Sequence, residues 1–323
     1  MSNKQLEKTI SRVRQRIADR QYYEAQQAIK TVVARLNKAQ QYDQAIETLY
    51  QGAQELLTVG EDGSGGELAR YLVDTYKLAS VPVSPISKAR IIQLFKRFKP
   101  DDLRRKDFVQ DALQWSAADD YPFGDPELYH VFGSVYANED KTYEAERYLL
   151  MGTKESATVL ANLLFEWFSD DFDLPMAPYY ISRAVLGYLS AGNIRDAAKS
   201  LNIFIERLLE SGRISNSQKV SSSSGDEIFI FSELPLLNFF ELLIKACQRG
   251  NQDLYRRLRL RYKNAINDAG CLDKALDKIG LIFFNIQPRG QGDMLQNLMG
   301  SFFGSGSTTG ATNAPRQIGA ELD

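Results

Sequence analysis

One pattern dominates this chain and constrains its fold more than any other: apolar residues recur at steps of three and four, segment after segment, between short polar or glycine-containing breaks. In YYEAQQAIKTVVARLNKA, the residues Ala25, Ala28, Ile29, Val32, Val33 and Leu36 share one helical face. QYDQAIETLYQGAQELLTVG repeats this with Tyr42, Ala45, Ile46, Leu49, Ala53, Leu56 and Leu57, and stops at Gly60. A helix with one apolar stripe cannot bury it alone, and so short a break forces its neighbour to run antiparallel. Strand-like alternation is nearly absent. The expected fold is all-α, an α-solenoid of stacked antiparallel helix hairpins, tetratricopeptide-like in logic but without a strict repeat.

The same units continue along the chain. EDGSGGELARYLVDTYKLA reads as a flexible glycine-rich linker followed by a helix, and VPVSP as a stop. ISKARIIQLFKRFK and DDLRRKDFVQDALQWSA are helices, the second opened by acids suited to a helix N-terminus. An aromatic-or-Asn, acid, Ala theme opens several helices: YYEAQQA, QYDQAIE, TYEAERY and GNIRDAA. NQDLYRRLRLRYKNAI reads as one helix, and DMLQNLMGSFF as a short last one. The stretch QKVSSSSGDEIFIFSELP differs. Its Ile228–Phe231 run is β-prone, so residues 213–232 are expected to be an inserted loop or β-hairpin. Phe229 and Phe231 then share one face, with Ile228 and Ile230 on the other. Apolar residues on both faces require cover on both: the body supplies one, and a partner can supply the other.

The chemical inventory argues against an enzyme. His130 is the single histidine, so acid/base pairs and triads have one candidate member. Cys247 and Cys271 cannot form a disulfide framework or, with one histidine, a closed zinc site; both are read as core thiols on helices. In DDFDLPMAPYY, Asp171 and Asp173 have the first spacing of a calcium loop. Pro175, Met176 and Ser182 then occupy its fifth, sixth and twelfth positions, so the acids are read as helix caps. No catalytic residue, metal or cofactor is expected. GLIFFNIQP is interrupted by Arg289 and Asp293, well short of the ~18 apolar residues of a membrane span. With no apolar signal core either, a cytosolic setting without membrane insertion is expected.

Charge is unevenly placed. The formal net charge is -2, yet residues 1–38 carry nine Lys/Arg against Glu7, Asp19 and Glu24. On the first helix Leu6, Ile10, Val13 and Ile17 make the buried stripe, and Arg12 and Arg16 lie beside it with Lys8 flanking. This end suits an acidic partner. The basic stretch matches no recognisable nucleic-acid module, and nucleic acid is not expected as a partner.

YYEAQQ (22–27), ALQWS (112–116), PLLNF (235–239), LDKIGLIFFNIQP (276–288) and LQNLMGS (295–301), in this order, resemble the Golgi-to-ER traffic protein four family. This family provides adaptors of the guided-entry pathway for tail-anchored membrane proteins. The resemblance runs nearly end to end and implies a non-catalytic α-solenoid that bridges two partners. It implies residues 1–152 as the half that binds the targeting ATPase and 153–304 as the half that binds a ubiquitin-like protein; the 305–323 tail is expected to be disordered because GSGSTTGATNAP cannot bury enough apolar surface. Through the ubiquitin-like protein, a client-loading co-chaperone is implied as an indirect partner. The residues carried over for the ATPase are Arg12, Arg16, Tyr22, Tyr23, Lys30 and Arg35. Glu67, or alternatively Asp74, is the acid implied to regulate ATP hydrolysis. For the ubiquitin-like partner they are Phe229, Phe231, Leu234, Leu237, Phe240, Ile282 and Phe283. The competing readings are a helical-repeat scaffold of another cytosolic complex and an RNA-binding α-solenoid.

Overall fold

The computed structural model describes residues 3–171, 173–214, 217–221 and 227–287. Among them are fifteen α-helices and one two-stranded sheet. The helices are α1 (Asn3–Ala18), α2 (Tyr22–Lys38), α3 (Tyr42–Thr58), α4 (Asp62–Leu78), α5 (Pro85–Phe95), α6 (Leu103–Trp115), α7 (Pro126–Asn138) and α8 (Thr142–Leu149). They continue as α9 (Ser156–Asp171), α10 (Ala177–Ser190) and α11 (Ile194–Glu210). The strands β1 (Ser217–Ser221) and β2 (Glu227–Phe231) precede α12 (Pro235–Arg249), α13 (Gln252–Arg261), α14 (Lys263–Ala269) and α15 (Asp273–Phe284). Most helix contacts join helices one or two positions apart, as in α1 on α2 and α3, or α7 on α8 and α9, while α10 also packs on α15. This is the nearest-neighbour stacking of an α-solenoid.

The apolar stripes read from sequence are the core: Ala25, Ile29, Val32, Val33 and Leu36 of α2 face Ala45, Ile46, Leu49, Ala53, Leu56 and Leu57 of α3, all buried. The turns share one geometry. Arg20, Gln40, Gly60 and Ser80 each adopt a left-handed conformation, with φ from 50 to 82°. The next residue donates back five positions, as in Gln41 N–H to Leu36 O (2.9 Å) and Val81 N–H to Tyr76 O (2.9 Å). This bond satisfies a carbonyl that the helix end leaves open and turns the chain into the next helix. Asp140 and Gly192 repeat it at the hairpins α7–α8 and α10–α11.

Four sequence expectations need correction. The GSGG segment is no linker: α4 begins at Asp62 and contains all three of Gly63, Gly65 and Gly66. A Cβ on Gly65 would stand 2.9 Å from the Leu57 backbone nitrogen, and one on Gly66 2.9 Å from the Phe98 ring. The glycines let α4 approach its neighbours closely, which offsets their low helix propensity. Asp62, buried at the start of α4, accepts from the Lys99 N–H (3.0 Å) and pairs with the Lys99 ammonium (3.1 Å). Second, NQDLYRRLRLRYKNAI divides at Tyr262 into α13 and α14. Third, Cys247 is buried on α12, but Cys271 is exposed in the turn before α15. Fourth, Asp173 makes no side-chain cap, and Asp171 instead accepts from the Tyr180 hydroxyl. The expected last helix and the 305–323 tail lie outside the described residues.

Charged side chains knit alternate helices together. Arg14 reaches Glu55 (2.7 Å), Arg70 reaches Asp111 (2.7 Å), Arg90 reaches Glu47 (2.9 Å) and Arg183 reaches Glu146 (2.5 Å). Each pair spans helices two apart, the layer spacing of the stack.

Candidate functional site

At the N-terminal end, α1 and α2 form an open hairpin. Val13 and Ile17 turn inward, so Arg12 and Arg16 of α1 face out beside Tyr23 and Arg35 of α2. These four side chains line one cleft of about 640 Å³, floored by Val13, Ala28 and Val32. Arg16 donates to the Glu24 carbonyl (3.1 Å), which orients its guanidinium across the cleft. Tyr23 is 65% exposed, an unusual position for so large a ring. The cleft thus presents three cations, one acid (Glu24) and one aromatic ring on a partly apolar floor.

The other residues assigned to this end fall elsewhere. Tyr22, beside Tyr23 in sequence, points into a separate cleft of about 860 Å³ with Arg14, Arg20, Tyr50 and Glu55. Lys30 is engaged within the chain: its ammonium pairs with Glu67 at 3.0 Å, and Gln26 donates to the same carboxylate oxygen at 2.6 Å. The Lys30 ammonium, assisted by Gln26, holds the Glu67 carboxyl below its ordinary value despite partial burial. Asp74, two turns further along α4, is exposed and carries no hydrogen bond or ion pair among the described residues. Both acids are exposed, and Asp74 is the one without a hydrogen bond or ion pair among the described residues.

At the other end the insertion is a β-hairpin. β1 and β2 pair antiparallel, with Ser217 opposite Phe231 and Lys219 opposite Phe229. β2 packs on α12, and Asn238 of α12 mimics a third strand. It accepts from the Phe231 N–H (2.9 Å) and donates to the Phe231 carbonyl (2.8 Å). The Phe229 N–H donates to the Glu241 carboxylate one turn further on. Burial beneath the hairpin is the main cause that pushes the Glu241 carboxyl up to about 7, against smaller contributions from that bond and from Lys245.

This clamp decides which face looks outward. Phe231 is 1% exposed and stacks on half-buried Phe229 (6.3 Å between centroids). Leu234, Leu237 and Phe240 are buried as well, so with Phe231 they belong to the chain's own core rather than to an open groove. They support the surface from beneath. The outward side chains are Val220 and Ile230 of the hairpin and Leu281 and Ile282 of α15, all between 40 and 44% exposed. Phe283 is half-buried, and Phe284 stacks on Tyr255 at 4.5 Å. Sequence reading missed Val220, Ile230 and Leu281 as surface groups. The strand's alternation separates its two faces, but only the Asn238 clamp, seven residues away, selects the inner one.

No helix among the described residues is long and apolar enough to cross a membrane. The single histidine, His130, shares a 2.9 Å hydrogen bond with Ser156 across the α7–α9 packing and faces neither end.

Comparison with known proteins agrees with this architecture. A model of the family described as Golgi to ER traffic protein 4 matches residues 39–303. Golgi to ER traffic protein 4 from Aspergillus fumigatus is 39% identical over 326 residues, spanning 97% of this chain and 94% of that protein. The Schizosaccharomyces pombe protein of the same name is 32% identical, over 87% of this chain and 90% of its own length. A solved structure titled "Crystal structure of C. therm. Get4" superposes with a TM-score of 0.82 at 38% identity, covering 96% of this chain and all of that one. With a helical stack, a hairpin clamped onto α12 and this match over most of its length, the chain belongs to the Golgi to ER traffic protein 4 family.

Proposed function

We propose that this protein is a non-catalytic adaptor in the post-translational targeting of tail-anchored membrane proteins to the endoplasmic reticulum. Its two ends hold different partners. Residues 1–152 bind the targeting ATPase and residues 153–304 bind a ubiquitin-like protein, which brings in the client-loading co-chaperone. The observation that carries this reading is the cleft in which Arg12, Arg16 and Arg35 converge around Tyr23. Cations around an exposed ring suit an acidic protein surface, by steering and by a central aromatic anchor. The apolar side chains at the far end suit a different, less charged contact. Within the first half, Asp74 is the acid open to act on the ATPase, since Glu67 is already engaged by Lys30.

The test is co-purification of the full chain with the targeting ATPase, using an Arg12→Glu/Arg16→Glu variant. Like charges set against an acidic partner typically cost several kcal/mol, so binding should fall at least a hundredfold at low salt. The melting temperature should stay unchanged, because both side chains are exposed. Wild-type affinity in that variant would remove the cleft from the interface. Failure of the C-terminal half to retain the ubiquitin-like protein would remove the second arm.

A further inference from the structure

The outer face of α13 carries a charge pattern that neither proposed interface uses. Its sequence, QDLYRRLRLR, buries Tyr255 and Leu258 against the body. On the opposite side, Arg256, Arg257, Leu260 and Arg261 follow one another at helical spacing and are all exposed. Lys263 extends the row at the first residue of α14 and is exposed too. Arg259 is not part of this face, because Asp277 (2.6 Å) and Asp273 (2.9 Å) of α15 neutralise it. The other four cations make no ion pair among the described residues, although the chain as a whole is net acidic. Amid them Leu260 is 74% exposed, more than any other large apolar side chain of α12–α15.

We propose that this face binds the surface of an anionic phospholipid bilayer, with α13 lying flat on the headgroups. Two independent features point to lipid rather than to another polyanion. The unpaired arginines suit any dense field of negative charge. Leu260, however, gains nothing from a phosphodiester backbone, whereas at a bilayer it leaves water for the acyl boundary while the arginine heads remain among phosphates. The contact is peripheral, since α13 is ten residues long and its inner face is committed to the core. It is also weak by design: each basic residue multiplies partitioning by roughly fivefold at an anionic surface. A second, protein-mediated contact is needed for stable residence, which suits a reversible membrane visitor.

The experiment is sedimentation of the full-length chain with vesicles of phosphatidylcholine alone or with about 30 mol% phosphatidylserine. The expected result is at least tenfold stronger partitioning to the anionic vesicles, abolished in about 0.5 M salt. Arg256→Gln/Arg257→Gln/Arg261→Gln should reduce it roughly a hundredfold with unchanged thermal stability. Leu260→Ala should reduce it roughly fivefold, and Leu260→Trp should show a blue-shifted emission on anionic vesicles alone. Arg12→Glu/Arg16→Glu should leave it intact, which separates this face from the ATPase cleft. Equal binding to neutral vesicles, no binding at all, or full binding by the triple variant would overturn the proposal. So would capture of an RNA homopolymer by the same arginines with no contribution from Leu260.

Discussion

The guanidinium of Arg105 and the carboxylate of Glu139 meet side by side in two hydrogen bonds, at 2.6 and 2.9 Å, although they come from different hairpins. Arg105 is 1% exposed and lies between two rings, 4.1 Å from the Phe95 centroid and 4.9 Å from that of Tyr136. The two flat stacking surfaces and the forked bond together fix how α6 sits on α5 and α7.

Removal of one partner should therefore be costly. Glu139→Ala leaves a desolvated cation without its carboxylate, and should destabilise the fold by about 3 kcal/mol in urea unfolding. Arg105→Lys should also lose stability, because an ammonium neither forks nor stacks. Arg105→Met combined with Glu139→Gln should recover much of the loss of the Glu139→Ala variant, since no buried charge remains.

The turns offer the opposite sign. Gln40, Ser80 and Asp140 hold positive φ without being glycine, at 55, 50 and 58°. Replacing any one by glycine should raise stability by up to about 1 kcal/mol, because the left-handed strain of a Cβ disappears there. A rise in melting temperature for each single variant, and near-additive rises for pairs, is the expected readout.

Within α4, two glycines should respond differently to one methyl group. Gly63→Ala meets nothing closer than Arg104 at 3.7 Å and should stabilise by a few tenths to about 1 kcal/mol through helix propensity. Gly65→Ala drives its methyl to 2.8 Å from the Leu57 side chain and 2.9 Å from its backbone nitrogen, and should cost about 1–3 kcal/mol. Thermal unfolding of the two variants side by side checks this.

Glu241 makes the hairpin end sensitive to pH. A glutamate in the unfolded chain titrates near 4.5, whereas here burial raises the value to about 7. Between these values the folded state keeps a proton that the unfolded chain has lost. The stabilisation is thus fully present below about 4.5 and is lost as pH rises through about 7. With allowance for partial solvation this amounts to about 1–2 kcal/mol. Glu241→Gln keeps an acceptor for the Phe229 N–H without the charge. It should flatten the pH profile and be more stable than wild type at pH 8.

What was legible in the sequence follows from which interactions are local. The stripes of α2 and α3 and the acid Asp102 that opens α6 depend on residues within one helix, and both can be read directly. The exposure of Arg12, Arg16 and Tyr23 follows from the same stripes. The pairing of Lys30 with Glu67 does not, because it joins residues 37 apart on helices that touch only after stacking. Arg105 reads as a surface residue until Phe95 and Tyr136 are brought against it. The inward turn of Phe231 likewise depends on Asn238, and a glycine-rich helix start depends on how closely Leu57 and Phe98 approach.

From α1 to α9, each principal helix contact joins helices one or two positions apart. Over these helices a displacement therefore passes chiefly from layer to layer, whereas beyond them α10 packs on both α12 and α15 and ties the last layers together directly. Such a body works as a spacer rather than as a lever. On the two-partner function proposed above, it would fix how far apart and at what angle the partners are held, and occupancy at one end is expected to leave the affinity at the other nearly untouched. Coordination between guests then comes from their enforced proximity to each other, not from a signal carried through the helices.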